Sequence, residues 1–97
     1  MTSIEHVEIL SKKYSMAPEE FIKFGSYLAM RERKRKLQIE RFEVLSRYGT
    51  ETVEALKDKI KNGTIPEHPS WEDLIEIKNI ESEIREIEND IRTLQQA

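Results

Sequence analysis

The chain of 97 residues has no cysteine and contains only three glycines, three prolines and one tryptophan. The lack of cysteine excludes disulfides, thiolate metal ligands and cysteine nucleophiles, and it fits a reducing compartment. No apolar run approaches the length of about 18 residues that a transmembrane helix needs, and the N-terminus lacks the apolar core of a secretory signal. These absences predict a cytoplasmic protein with no membrane association.

Motifs that carry catalysis or bind metals are also missing. The two histidines, His6 and His68, stand alone, and there is no His-Glu-x-x-His pair, P-loop, dinucleotide-binding glycine pattern or nucleophile elbow. We therefore expect no catalytic residue, no cofactor and no bound metal, and a function other than catalysis.

Charge is abundant and unevenly distributed. Charged residues make up 36% of the chain, whose net charge is −3. Residues 31–47 carry seven positive and three negative side chains, whereas residues 71–97 carry three positive and eight negative ones. This asymmetry suits helices that pair by charge, either within one chain or across a dimer.

Cap and turn residues divide the chain into four helices, in the order short, long, short, long. The signals are the N-caps Thr2, Thr50 and Ser70, the helix-opening Pro18, and the helix-ending Gly49 and Gly63. We predict an all-α protein with helices near 3–14, 18–47, 51–62 and 71–95. The segment 64–69 contains two prolines, so we expect an extended tether there.

The last predicted helix carries a coiled-coil-like seam with a 3-4-3-4-3 spacing. The seam consists of Ile77, Ile80, Ile84, Ile87, Ile91 and Leu94. The flanking heptad positions are all acidic and form a charged rim of Glu76, Glu81, Glu83, Glu88 and Asp90. Like charges oppose self-pairing, so the seam requires a basic partner surface, either residues 31–47 or the groove of another protein. Trp71, Leu74 and Ile75 lie off the seam, and we expect them to be buried against the third helix.

The second predicted helix contains a basic patch made of Arg31, Arg33, Lys34, Arg35, Lys36 and Arg41. Such a segment is either solvated or contacts an acidic partner, which can be the rim of the last helix, a separate protein or nucleic-acid phosphates. Aromatic residues that stack on bases are absent from this run, which favours a protein partner.

The apolar pattern also predicts two segments with different roles. Residues 1–48 are expected to form a helical hairpin that dimerises, because their apolar residues exceed what a short hairpin can cover. These residues are Ile4, Val7, Leu10, Phe21, Phe24 and Leu28, with Ile39, Phe42 and Leu45 continuing the face of the second helix. Residues 49–97 combine the short helix, the tether and the heptad helix into the expected site for a partner, which we call the partner-binding segment.

Two stretches carry a resemblance to a known group of proteins. They are KYSMAPEEF at 13–21 and the run from Arg47 to Leu74, which includes RYGT, KNG and IPEHPSWEDL. Their pattern of turns and caps resembles that of small helical archaeal antitoxin subunits of toxin–antitoxin pairs. Ala17 departs from the pattern, which has a Ser or Thr cap at this position.

The resemblance implies a non-catalytic protein that binds and neutralises a small partner toxin. It transfers no functional residue, because it rests on turns and caps. The residues themselves leave two alternatives open. One is a nucleic-acid-binding regulator that uses residues 31–47, and the other is a homodimeric helical bundle of unknown role.

Overall fold

The computed structural model describes all 97 residues. It contains four α-helices, joined by short turns, and no strand. The helices are α1 (Ser3–Lys13), α2 (Pro18–Arg47), α3 (Val53–Lys61) and α4 (Glu67–Gln96). The all-α prediction and its order of short and long helices are confirmed. The predicted boundaries hold to within two residues, except at the start of α4.

Local signals explain most helix ends. The hydroxyl of Thr2 accepts the backbone N–H of Glu5 at 3.2 Å and so caps α1. Pro18 occupies the first turn of α2, where its missing N–H needs no partner. Gly49 and Gly63 follow α2 and α3 with φ values of +64° and +75°, in the left-handed region that glycine adopts without a steric cost.

The cap of α3 differs from the prediction. Thr52 is the N-cap, and its hydroxyl accepts the N–H of Ala55 at 3.0 Å. Thr50 is buried, and its hydroxyl donates to the carbonyl of Leu45 at 2.9 Å. Thr50 therefore hydrogen-bonds back to the end of α2, where the Leu45 carbonyl also accepts the backbone N–H groups of Tyr48 and Thr50. The opening of α3 is left to the next threonine.

The start of α4 also differs, because part of the predicted tether is helical. The helix begins at Glu67, and the backbone becomes extended at His68, with φ −119° and ψ 132°. That single extended residue lets Pro69 open the regular helix. Ser70 is not an N-cap; it is buried and its hydroxyl donates to the carbonyl of Pro66.

The two long helices pack antiparallel and form a hairpin. Each has 30 residues, hence a length of about 45 Å, and the whole molecule measures 60 × 25 × 19 Å. The antiparallel order is visible in the contacts of Tyr48 with Asp73, Arg41 with Glu81, and Lys34 with Glu88. This hairpin joins the predicted segments 1–48 and 49–97. No helix is long and apolar enough to cross a membrane.

The core consists of two clusters along the hairpin. The larger one lies where α3 covers the closed end, and it contains Val44, Leu45, Val53, Leu56, Ile60, Leu74 and Ile77. The smaller one lies in the shaft between α2 and α4 and contains Leu37, Ile80 and Ile87. At the open end, α1 packs against the start of α2, where the rings of Tyr14 and Phe21 stack with centroids 6.3 Å apart.

The apolar face predicted for α2 is buried only in part. Leu45 is buried and Phe21 half-buried, as predicted, but Phe24, Leu28, Ile39 and Phe42 are exposed. The helix instead buries Leu37 and Val44, which lie outside the predicted face. The reason is that α2 carries two stripes on different sides, and only the one that includes Leu37 and Val44 faces α4.

The sequence predicts that Trp71, Leu74 and Ile75 of α4 are buried, and this prediction is correct only for Leu74. Leu74 is 1% exposed and belongs to the core, but Trp71 and Ile75 are 45% and 47% exposed. With only nine residues, α3 covers the side of α4 that holds Leu74 and does not reach around to the other two.

Candidate interaction surface

The seam of α4 packs against α2 of the same chain. Ile77, Ile80 and Ile87 are buried, and Ile84, Ile91 and Leu94 are half-buried. Between the two alternatives from the sequence, the structure therefore places the basic helix of the chain itself on the seam. A partner protein can reach the three buried isoleucines only if the hairpin opens.

Three ion pairs, which we call the ionic clasp, join the acidic rim of α4 to the basic patch of α2. They are Arg33 with Glu83 at 2.9 Å, Arg41 with Glu81 at 2.8 Å, and Lys34 with Glu88 at 3.6 Å. Glu83 occupies one flank of the heptad seam, and Glu81 and Glu88 occupy the other, so the clasp brackets the seam. Partly exposed pairs of this kind contribute at most about 1 kcal/mol each, and their larger effect is to fix orientation.

The other charged residues of the rim and the patch form no ion pair between α2 and α4. Glu76, Asp90, Arg31 and Lys36 form no ion pair, in contrast to the clasp residues. Arg35 pairs within its own helix: its guanidinium donates to both carboxylate oxygens of Glu32, at 2.9 and 2.7 Å. These hydrogen bonds from Arg35 hold the pKa of Glu32 below its ordinary value.

Arg31 and Arg35 belong to a stripe on the side of α2 turned away from the seam. This outer stripe follows a 4-3-4-3-4 spacing and consists of Phe24, Leu28, Arg31, Arg35, Gln38 and Phe42, with Ile39 at its edge. All of these residues are exposed. An open groove of about 640 Å³ runs over its centre, from Leu28 to Gln38.

Large apolar side chains are at least 42% exposed at both ends of the outer stripe. Phe24 is 52% and Leu28 42% exposed at one end, and Ile39 is 42% and Phe42 68% exposed at the other. Adjacent exposed apolar residues on a monomer mark a surface that another protein covers. The outer stripe is therefore the candidate interaction surface of α2.

A second exposed apolar surface lies on α1. Ile4, Leu10 and Tyr14 are 67%, 44% and 62% exposed, while Ser11 on the inner face is fully buried. Ser11 and Val7 are the only residues of α1 that are not exposed, whereas its large apolar residues Ile4 and Leu10 stay exposed.

Two smaller grooves lie at the ends of the hairpin. At the open end, Met16, Phe24, Tyr27 and Leu94 line an apolar groove of about 320 Å³. At the closed end, a groove of about 480 Å³ lies beside Trp71, near the exposed pair of His68 and Glu72, whose side chains are 2.7 Å apart. No group of three or more His, Asp or Glu side chains is placed to hold a metal ion.

The sequence predicts the basic patch on α2 correctly. It also identifies Phe24, Leu28, Ile39 and Phe42 as apolar face residues, but it does not connect them into one stripe through the polar positions between them. The heptad spacing that identifies the stripe is present in the sequence. It is interrupted by two arginines and a glutamine, so its positions 31 to 38 do not register as an apolar face. A search for heptad spacing that admits arginine at core positions would have found it.

These features define a small all-α protein whose two long helices form an ion-paired antiparallel hairpin with an exposed, partly basic stripe. Residues 26–97 match the model of the Uncharacterized protein MJ0235 family, and the chain belongs to this family. No curated protein and no solved structure matches the chain. The match includes α3, α4 and most of α2, and so contains most of the hairpin.

Proposed function

We propose that the chain is a non-catalytic protein–protein interaction module, in which the hairpin is the scaffold and the outer stripe of α2 is the binding surface. The observation that carries this proposal is the exposure of Phe24, Leu28, Ile39 and Phe42, which is between 42% and 68%. The seam and most of the rim already have partners inside the chain. The outer stripe has only the Arg35–Glu32 pair, and a helix face of this kind suits docking of a second helix.

Within that role, we propose that the chain is an antitoxin that binds and neutralises a small toxin protein. The support is the resemblance of its turns and caps to helical antitoxin subunits, together with an exposed surface long enough for a helix. Neutralisation of this kind requires binding alone, and the outer stripe supplies the surface for it.

We further propose that the chain forms a homodimer through α1. Ile4, Leu10 and Tyr14 lose water contact when a second copy covers them, which favours association. This assignment separates the two surfaces, since α1 then serves self-association and the outer stripe of α2 serves the toxin.

A role in nucleic-acid binding is less well supported. Arg33, Lys34 and Arg41 form ion pairs with the acidic rim, and Arg35 pairs with Glu32, so four of the six cations of the basic patch are already neutralised. Phosphate binding requires free cations, and each pair broken for that purpose releases a carboxylate beside the nucleic acid.

The resemblance implies a toxin that is commonly encoded alongside its antitoxin, so the proposed function is tested by co-expression with the product of the adjacent gene. If the proposal is correct, that product arrests growth alone, and the parent chain binds it and restores growth. Replacing Leu28 and Phe42 by serine should abolish both effects. The matched control is Ile75→Ser, which removes a similarly exposed apolar residue from α4 and should leave binding unchanged. Equal binding by all variants would contradict the proposal.

A further inference from the structure

We infer that the outer stripe of α2 takes an acidic amphipathic helix of the partner protein, with carboxylates of that helix facing Arg31 and Arg35. The inference rests on the proposed function and specifies the partner chemistry that the function alone leaves open.

The dimensions of the stripe fit one helix. From Phe24 to Phe42 it extends over about 27 Å, which corresponds to roughly three heptads of a partner. Phe24 and Leu28 at one end, and Ile39 and Phe42 at the other, require apolar side chains opposite them. Between these ends, Arg31 and Arg35 occupy the two central positions. The partner helix must therefore carry polar or charged residues, not apolar ones, at its centre.

The charge of the central positions decides the partner. An apolar side chain laid over Arg31 would remove water from a guanidinium that has no ion pair, which is unfavourable. A carboxylate placed there supplies the missing charge and accepts hydrogen bonds from the planar guanidinium. Arg35 already has Glu32, so the need for a partner carboxylate is greatest at Arg31.

A second copy of the chain does not satisfy this requirement. If two outer stripes pair antiparallel, Arg31 of one copy faces Arg35 of the other, and a parallel pairing brings identical arginines together. In either arrangement four guanidiniums meet only two carboxylates, those of the two copies of Glu32, which Arg35 already holds. The stripe is thus unsuited to self-pairing and suited to an acidic partner.

The test uses three synthetic helical peptides of about 21 residues, three heptads long, titrated into the full chain. All three carry leucine at the outer core positions, and only the two central core positions differ, being glutamate, lysine or leucine. We expect the glutamate peptide to bind the parent at least about tenfold more tightly than the lysine peptide. Arg31→Glu should reverse this preference, and Arg35→Glu should have a smaller effect.

The matched control is Lys36→Glu, which makes the same charge change on α2 away from the stripe and should leave the preference intact. All three positions are exposed, and thermal unfolding of each variant verifies that the fold is kept. Equal binding of the glutamate and lysine peptides, no binding of the glutamate peptide, or insensitivity to Arg31→Glu would each overturn the inference. A DNA duplex that displaces the glutamate peptide at physiological salt would also overturn it, because the arginines would then serve phosphates.

The failure of this inference can be told apart from failure of the proposed function. If Leu28→Ser and Phe42→Ser abolish binding of the adjacent gene product while the peptides show no charge preference, the interaction surface stands and the acidic partner is wrong. If these serine variants bind the product as the parent does, the proposed function fails as well.

Discussion

The hydroxyl of Tyr48 donates a hydrogen bond to the carboxylate of Asp73, and so joins the residue that ends α2 to the second turn of the regular part of α4. The same tyrosine is fixed from the other side, since Lys59 of α3 donates to its carbonyl at 2.8 Å. The two hydrogen bonds of Tyr48 therefore connect α2, α3 and α4 at the closed end of the hairpin, next to the larger core cluster.

Loss of the Tyr48 hydroxyl should destabilise the closed end. Tyr48→Phe leaves the side chain of Asp73, which is only 17% exposed, without its hydrogen-bond donor. We expect a loss of about 1–3 kcal/mol in the free energy of unfolding, measured by urea denaturation. The control is Tyr14→Phe, because Tyr14 is 62% exposed and its hydroxyl forms no hydrogen bond in the protein. Equal stability of the two variants would show that the contact with Asp73 contributes nothing.

Alkaline pH should remove the same stabilisation. Burial, followed by the hydrogen bond to Asp73, raises the pKa of Tyr48 from its usual 10.0 to about 12. The folded state therefore retains this proton more strongly than the unfolded state does, and the stabilisation is complete below pH 10 and is lost as the pH rises towards 12. The difference in stability between the parent and Tyr48→Phe should shrink over that range. A difference that is constant with pH would contradict the assignment.

The ionic clasp should contribute a small, salt-sensitive part of hairpin stability. Arg41→Glu places two carboxylates together at the position of the pair with Glu81, and we expect a loss of roughly 0.5–1 kcal/mol at low salt. Adding Glu81→Lys to this variant restores opposite charges and should recover most of the loss. Asp90→Lys is the control, since Asp90 forms no ion pair. A loss that is the same at high salt would show that the pair does not act through its charges.

The shaft of the hairpin should not tolerate a charge in the seam. Ile84 is packed against the cluster of Leu37, Ile80 and Ile87, and Ile84→Asp places an unpaired carboxylate there. We expect a loss of several kcal/mol at any ionic strength, seen by circular dichroism as a lower unfolding temperature. Ile75→Asp introduces the same charge at an exposed position of α4 and should have little effect. If the two variants melt alike, the seam is not the core of the hairpin.

Self-association should depend on α1. We expect the parent to have the mass of a dimer in light scattering, and the double variant Ile4→Ser and Leu10→Ser to have the mass of a monomer, because these changes remove apolar surface that a second copy would cover. Phe42→Ser should remain dimeric, since it alters the outer stripe alone. A parent chain that is monomeric at high concentration would contradict dimerisation.

Most of the fold could be predicted from local sequence signals. The capping of α1 by Thr2, the proline at the start of α2 and the left-handed glycines after α2 and α3 act within a few residues, so they can be recognised without knowing the tertiary structure. Thr50 and Ser70 show the limit of this approach. Each has the right residue type for a cap, but both are buried and donate to carbonyls of the preceding segments instead.

The partner of the seam could not be decided from the sequence. An apolar heptad stripe with an acidic rim fits any basic helix, whether in the same chain or in another protein. In the structure, the seam packs against α2 of the same chain. This pairing is favoured because the connection through α3 keeps α2 close to α4, at a high effective concentration. The apolar ends of the outer stripe could be predicted from the sequence, but the stripe as a whole could not, because the arginines at its centre conceal its heptad spacing.

The most direct test of the central claim uses the natural absence of cysteine, which allows a single thiol to be introduced at a chosen position. Maleimide labelling of Phe42→Cys, Ile80→Cys and Ile75→Cys is measured with and without the adjacent gene product. We expect the product to protect the thiol at position 42, while position 80 is unreactive and position 75 reactive in both states. Labelling at position 42 that is unchanged by the product, or a thiol at position 80 that becomes reactive when the product binds, would contradict the claim that the partner docks on the outer stripe of a closed hairpin.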